Sequence, residues 1–91
     1  MSNNPVIIDP KELRQFVSQL KHFNTELEGS SSRLHGQFRQ LGETWRDPAY
    51  TKFAQEFEQT MNTLRKFRQA SDEVIPRLTR TAERAEAVHN S

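Results

Sequence analysis

Apolar residues recur along this chain at alternating steps of three and four. In the first half they are Leu13, Phe16, Leu20, Phe23 and Leu27. Ser30 takes the next slot, followed by Leu34, Phe38, Leu41 and Trp45. The second half repeats the rhythm with Tyr50, Phe53, Phe57, Met61, Leu64, Phe67, Ser71, Val74, Leu78, Ala82 and Ala85. Steps of three and four return to one side of an α-helix, so the pattern predicts two long amphipathic helices. The step from Leu34 to Phe38 breaks strict alternation, which argues for local adjustment there and against a long regular supercoil.

The polar residues between these runs mark where each helix begins. Asp9-Pro10 offers a carboxylate for the first free amides and a proline suited to the first helical position, with Glu12 three residues on as a capping-box partner. Asp47-Pro48 repeats that logic before the second run. Gly42 is read as the terminator of the first helix, since glycine takes the left-handed conformation that closes many helices. Gly29-Ser30-Ser31-Ser32 interrupts the apolar row with small residues, but the row keeps phase from Leu27 through Ser30 to Leu34. A loop has no reason to keep phase, so a continuous helix with a thin waist is predicted. Pro76 lies inside the second run, and the period resumes beyond it, which predicts a kinked helix and not an end. The predicted organisation is an extended arm over 1–8, a helical hairpin over 9–88 and a frayed tail over 89–91. Within the hairpin a helix spans about 10–41, a turn 42–47, and a second helix about 48–88, kinked near Pro76. In the arm, Val6-Ile7-Ile8 is expected to lie against a helix near the open end of the hairpin. A short connection between long helices forces antiparallel neighbours.

Composition changes this picture in one respect. The chain has 91 residues, of which 33% are hydrophobic, against roughly 45–50% in globular proteins. Mean hydropathy is −0.90. A two-helix hairpin has one contact seam, so a monomer this polar is marginal. The expected fold is therefore all-α: an antiparallel two-helix hairpin that pairs, as a homodimer or with a related helical hairpin, into a four-helix bundle. The residues expected to form the hairpin or dimer seam are Leu13, Phe16, Leu20, Phe23, Leu27, Leu34, Phe38, Leu41, Phe53, Phe57, Met61, Leu64, Phe67, Val74 and Leu78. The formal charge of +1 points neither to nucleic acid nor to an anionic membrane. There is no cysteine, so disulfide and thiol chemistry are excluded. No apolar run approaches the roughly 18 residues that span a bilayer, so no membrane insertion is expected. The N-terminus lacks a basic region followed by an apolar core, so no ordinary signal peptide is expected.

Candidate chemistry adds little. His22, His35 and His89 are scattered, with none paired at three or four residues, so no metal site is expected. Glu26 follows His22 by four residues, the spacing of a surface pair. Glu56 and Glu58 point in different directions on a helix, which argues against paired-carboxylate catalysis. No phosphate-binding glycine loop or nucleophile motif is present. The expectation is a protein without enzymatic activity and without a cofactor. Arg77, Arg80 and Arg84 form a stripe on the distal second helix, but Glu83 and Glu86 interleave with it and no aromatic accompanies it. A solvated face is the simpler reading, and no nucleic-acid partner is expected.

At the central turn the chain resembles the WXG family of small helical hairpins with a Trp-x-Gly turn. The resemblance rests on length, two amphipathic arms, a central Trp, and Phe53 and Phe57 soon after it. Here the turn reads Trp45-Arg46-Asp47, similar to a divergent branch in which Trp-x-Asp and a following Tyr or Phe replace the usual motif. The turn residues Gly42, Trp45, Arg46, Asp47, Pro48 and Tyr50 are thus the candidate motif. The resemblance implies a protein–protein interaction module that serves type VII secretion as substrate, chaperone or adaptor. It implies a cytoplasmic stage followed by export without a signal peptide, with a secretion ATPase or a larger effector as further partner. It also implies a possible recognition role for Trp45, beside the plainer one of plugging the end of the seam. Family substrates often carry a Tyr followed four residues later by an acidic residue after the second helix. Arg84–Ser91 has no Tyr, and the only Tyr, Tyr50, is followed at that spacing by Ala54. Export would then need a partner that carries the signal. The alternative is an intracellular helical scaffold or regulatory subunit with no export role.

Overall fold

The structure is a computed structural model and describes residues 8–89. It contains two helices, α1 (Pro10–Thr44) and α2 (Ala49–His89), joined by a short turn. Of the expected N-terminal arm only Ile8 falls within the described residues, as does only His89 of the tail.

Both helices start as their sequences dictate. Asp9, in extended geometry, accepts a hydrogen bond from the Lys11 N–H at 2.9 Å. Pro10 takes the first helical position, where its missing N–H costs nothing, and Glu12 sits in the first turn beside the positive end of the helix dipole. Asp47 does the same for α2, accepting from the Ala49 N–H at 2.8 Å. The α1 helix runs unbroken through Gly29-Ser30-Ser31-Ser32. The α2 helix continues through Pro76; Thr79 Oγ1 donates to the Ile75 carbonyl at 2.9 Å, within the turn that follows the proline.

The end of α1 departs from expectation. The helix does not stop at Leu41 with Gly42 as terminator. It continues to Thr44, and the Trp45 N–H closes the last turn on the Leu41 carbonyl at 2.9 Å. No glycine has positive φ among the described residues. Gly42 is instead a point of close approach. A Cβ there would collide with Tyr50 Oη and lie 3.1 Å from Tyr50 Cζ. The missing side chain leaves room for the first aromatic ring of α2 to lie against α1.

The helices run antiparallel, and contacts between them step down in register. Arg14 meets Glu86 near the open end, Asn24 meets Asp72, Phe23 meets Phe67, His35 meets Glu58, and Phe38 meets Phe57 near the turn. The molecule measures 66 × 28 × 15 Å with a radius of gyration of 20.3 Å, whereas a compact chain of this length has about 12 Å. Among the described residues it is one helix thick, with no second layer on either side.

That geometry limits the core. Val17, Phe38, Met61 and Ala82 are the buried apolar residues. Leu13, Leu20, Leu27, Phe57, Leu64, Val74 and Leu78 are half-buried. Asn24 and Ser71 are buried polar residues in the same seam. Total exposed surface is 7278 Å². A compact monomer of 10.6 kDa exposes about 5,500 Å².

Candidate interaction site

The turn end is built from aromatic rings. Phe38 is the centre. Its ring stacks on Phe57 at 4.3 Å and lies 5.9 Å from both Tyr50 and Phe53. Trp45 sits edge-on to Tyr50 at 5.2 Å and tilted against Phe53 at 5.5 Å. His35 flanks the stacked Phe38–Phe57 pair, 6.3 Å from both rings, and reaches Glu58 at 3.3 Å. Trp45 is half-buried in this cluster, while Arg46, Asp47 and Pro48 are exposed. The turn therefore presents a polar strip with one edge of the Trp ring beside it.

Asp47 explains how the turn works without a glycine at its third place. Its backbone φ is not positive, so no residue-specific conformation is required there. Its carboxylate satisfies the first free amide of α2, which a glycine would leave to solvent.

The apolar row predicted as one seam is divided by the structure. Phe38 and Met61 turn inward, and so does Val17, which was not part of the predicted row. Phe16, Phe23, Leu34, Leu41, Phe53 and Phe67 remain exposed, with Phe16 at 55% and Phe67 at 50% of full accessibility. Phe23 and Phe67 meet edge to face at 5.9 Å, so exposed residues of both helices share one side of the hairpin. In a chain with few apolar residues, this leaves an exposed aromatic face carrying Phe16, Phe23, Phe53 and Phe67.

Polar pairs join the helices elsewhere. Arg14 donates from Nε to Glu86 Oε2 at 2.6 Å and from a terminal nitrogen to Oε1 at 2.8 Å. These bonds to Arg14 hold the exposed Glu86 carboxyl below the usual carboxylate range. Asn24 Nδ2 donates to Asp72 Oδ1 at 3.0 Å, and Asp72 Oδ2 accepts from Arg68 at 2.9 Å. Asn24 Oδ1 is buried and has no hydrogen-bond partner among the described residues. An asparagine in this position fixes the alignment of paired helices at some expense of stability. At the small-residue waist a cleft of about 400 Å³ opens between the helices, lined by Leu27, Ser31, His35, Met61 and Arg68 among others. Among the described residues no group of His, Asp and Glu is placed to hold a metal ion. No helix is long and apolar enough to cross a membrane. The distal Arg77, Arg80 and Arg84 are all exposed.

The family model described as "WXG100: Proteins of 100 residues with WXG" matches residues 5–88. The chain belongs to this family. Trp45-Arg46-Asp47 lies within the matched span, between the two arms of the hairpin. Members of the WXG100 family are small helical proteins associated with type VII secretion, and hairpin pairing is typical of them. No curated protein and no solved structure matches the chain.

Sequence reasoning did not single out Asn24, which the structure buries against Asp72. It occupies the same position in successive sevens as Val17, Ser31, Phe38 and Trp45. That count is the signal that marks the row facing α2.

Proposed function

We propose that this WXG100 protein is a non-enzymatic pairing module that serves type VII-like secretion as a substrate, chaperone or adaptor. It acts as a dimer, with a second copy or with a related hairpin. The observation that supports this reading is the open face carrying Phe16, Phe23, Leu34, Leu41, Phe53 and Phe67. Fully burying such a side chain is worth about 1.5–3 kcal/mol; these keep 38–55% of their surface exposed, so a second hairpin laid on this face gains roughly half of that at each. The exposed surface exceeds that of a compact monomer by about 1,800 Å², more than the roughly 800 Å² that one partner loses in an interface of ordinary size.

The bundle then offers its turn to the export machinery. Trp45, braced by Tyr50 and Phe53, is a rigid aromatic edge beside the exposed Arg46 and Asp47. Rigid aromatics flanked by polar groups are favoured anchors at protein interfaces. A membrane-anchored secretion ATPase, or a larger effector carried along, is the partner this end would meet. The protein would have a cytoplasmic stage and leave the cell with the bundle intact.

The test is export in cells with and without the secretion ATPase, read by immunoblot of the medium. The reading expects the protein in the medium only when the ATPase is present. It also expects Trp45→Ala to reduce export while far-UV circular dichroism and dimer mass stay unchanged. Equal amounts in the medium with and without the ATPase, or retention inside the cell in both, would overturn export of this protein as a secretion substrate.

A further inference from the structure

The cleft of about 400 Å³ at the waist of α1 is used neither by the turn cluster nor by the aromatic face. It exists because one residue is small. Ser31 stands in the row that sets Val17, Asn24 and Phe38 against α2; those three are buried, but Ser31 is only half-buried. A hydroxymethyl group does not fill the space in front of Met61 and Leu64, so the seam opens there. A volume of this size lies in the range of small-molecule sites, roughly 300–1,000 Å³.

The lining is chemically sorted. Leu27, Met61 and Leu64 supply an apolar floor, and Arg39, Arg65 and Arg68 stand around it with Glu28 as the one lining carboxylate. Three guanidinium groups against one carboxylate concentrate positive charge here, in a chain whose formal charge is only +1. Neighbouring groups neutralise it in part. Arg68 donates to Asp72 at 2.9 Å, and His35 at the rim faces Glu58 at 3.3 Å. Arg65 donates only to the neutral Asn62, at 3.1 Å. Among the described residues Arg39 makes no hydrogen bond or ion pair, and the Ser31 and Ser32 hydroxyls make no hydrogen bond.

We propose that the waist cleft binds a small organic phosphate, its phosphate group held by Arg39, Arg65 and the Ser32 hydroxyl and its apolar body laid on Leu27, Met61 and Leu64. The guanidinium fork matches phosphate oxygens in pairs. A phosphate monoester carries about −1.5 to −2 charges at neutral pH and three acceptor oxygens, which suits the surplus of positive charge and the free donors better than the single charge of a carboxylate. Arg68, fixed by Asp72, adds to the field at the mouth. Glu28 repels a ligand whose body carries further negative charge. The mouth also faces away from the aromatic face. At 3.6 residues per turn, Ser32 and Arg39 lie about 160–180° around α1 from Phe23 and Leu41, and Arg65 lies about 160° around α2 from Phe67. A hairpin laid on the aromatic face leaves this mouth free, so the site and the pairing surface stand independently.

The probe is phenyl phosphate, titrated into the full chain at about pH 7.5, where the phosphate is mostly dianionic, at constant ionic strength and followed by amide NMR. Inorganic phosphate and benzoate are titrated beside it. Phenyl phosphate is expected to give saturable shifts confined to residues 27–39 and 61–68, and to bind about tenfold more tightly than either comparison. Arg39→Ala and Arg65→Ala, both at exposed positions, should each weaken it about tenfold, and Arg80→Ala should leave it unchanged. Ser31→Leu keeps every charge but fills the cleft, and should abolish saturable binding with helicity unchanged. Shifts that never saturate, or that are as large around Arg77, Arg80 and Arg84, would overturn the site, as would binding that survives Ser31→Leu. Benzoate binding as tightly as phenyl phosphate would overturn the assignment to phosphate. Equal affinity for inorganic phosphate would overturn the role of the apolar floor.

Discussion

Gly42 separates two accounts of the turn through opposite predictions. If it were a helix terminator, substitution would act through backbone conformation. The structure gives it ordinary helical geometry inside α1 and a close neighbour, Tyr50. In Gly42→Ala the new methyl collides with Tyr50 Oη and comes within 3.1 Å of Cζ, so the ring must move. That ring stacks on Phe38 at 5.9 Å and meets Trp45 at 5.2 Å. Replacing Gly by Ala within a helix gains at most about 1 kcal/mol. Overpacking costs about 1–3 kcal/mol, and each disturbed aromatic pair a further ~0.5–1.5 kcal/mol. These terms sum to a loss of about 1–5 kcal/mol; the atom met is the far end of a side chain that can shift aside, so the low end is expected, about 1–2 kcal/mol. Gly36 provides the control, since a Cβ there has nothing within 4 Å. Gly36→Ala is expected to gain about 1 kcal/mol. The two variants should differ in Tm by roughly 10–20 °C, at about 4–8 °C per kcal/mol for a domain of this size. The assay is thermal unfolding followed at 222 nm at one fixed protein concentration. Adding Tyr50→Phe to Gly42→Ala removes the colliding oxygen and should recover part of the loss. If Gly42→Ala stabilises as much as Gly36→Ala, the close-approach account of the turn is refuted.

Three further outcomes follow from the packing. Phe38→Ala removes the centre of the turn cluster and is expected to cost about 3–5 kcal/mol, read by urea unfolding; Arg80→Ala, on an exposed site, should leave the curve unchanged. Asn24→Leu replaces a buried amide whose Oδ1 has no hydrogen-bond partner among the described residues and should raise the urea midpoint by the equivalent of ~1 kcal/mol or more, while broadening the amide NMR resonances along the seam as alignment control between α1 and α2 is lost; a lower midpoint would contradict this. The Glu86 carboxyl titrates below its ordinary range because Arg14 donates to it, so the folded state binds that proton less readily than the unfolded chain does. The contribution of the pair is therefore present above the ordinary carboxylate range and is lost as pH falls through the lowered value. The protection factors of amides at the C-terminal end of α2, in which the intrinsic pH dependence of exchange is divided out, should fall on acidification in the wild type, and Glu86→Gln should flatten that dependence while leaving the protection around Met61 unaffected.

Much of this was legible in the sequence, through local signals. Asp9 and Asp47 announce both helix starts because a carboxylate before a free amide is a short-range requirement, and both bond two residues ahead as the rule demands. The small-residue waist stayed helical because phase across Leu27, Ser30 and Leu34 is also a local property. Gly42 was misread because the sequence shows that glycine is free to bend but not that a ring from another helix occupies its space. The division of the apolar row into a buried seam and an open face was not legible for a related reason. On α1 the apolar sector is wide enough to face α2 on one edge, at Val17 and Phe38, and solvent on the other, at Phe16 and Phe23. Periodicity fixes the sector but not the direction from which the partner helix approaches. Asn24 was hidden because it is polar within the buried row, and its partner Asp72 lies forty-eight residues away.

The central claim is that the aromatic face left open by the hairpin is covered by a second hairpin. Sedimentation equilibrium of the pure protein at micromolar concentration tests it most directly. The account predicts a species of twice the 10.6 kDa chain mass, dissociated by Phe23→Asp with the turn cluster left intact. A stable, fully helical species at the mass of one chain, unchanged by Phe23→Asp and unchanged when a related hairpin is added, would contradict it.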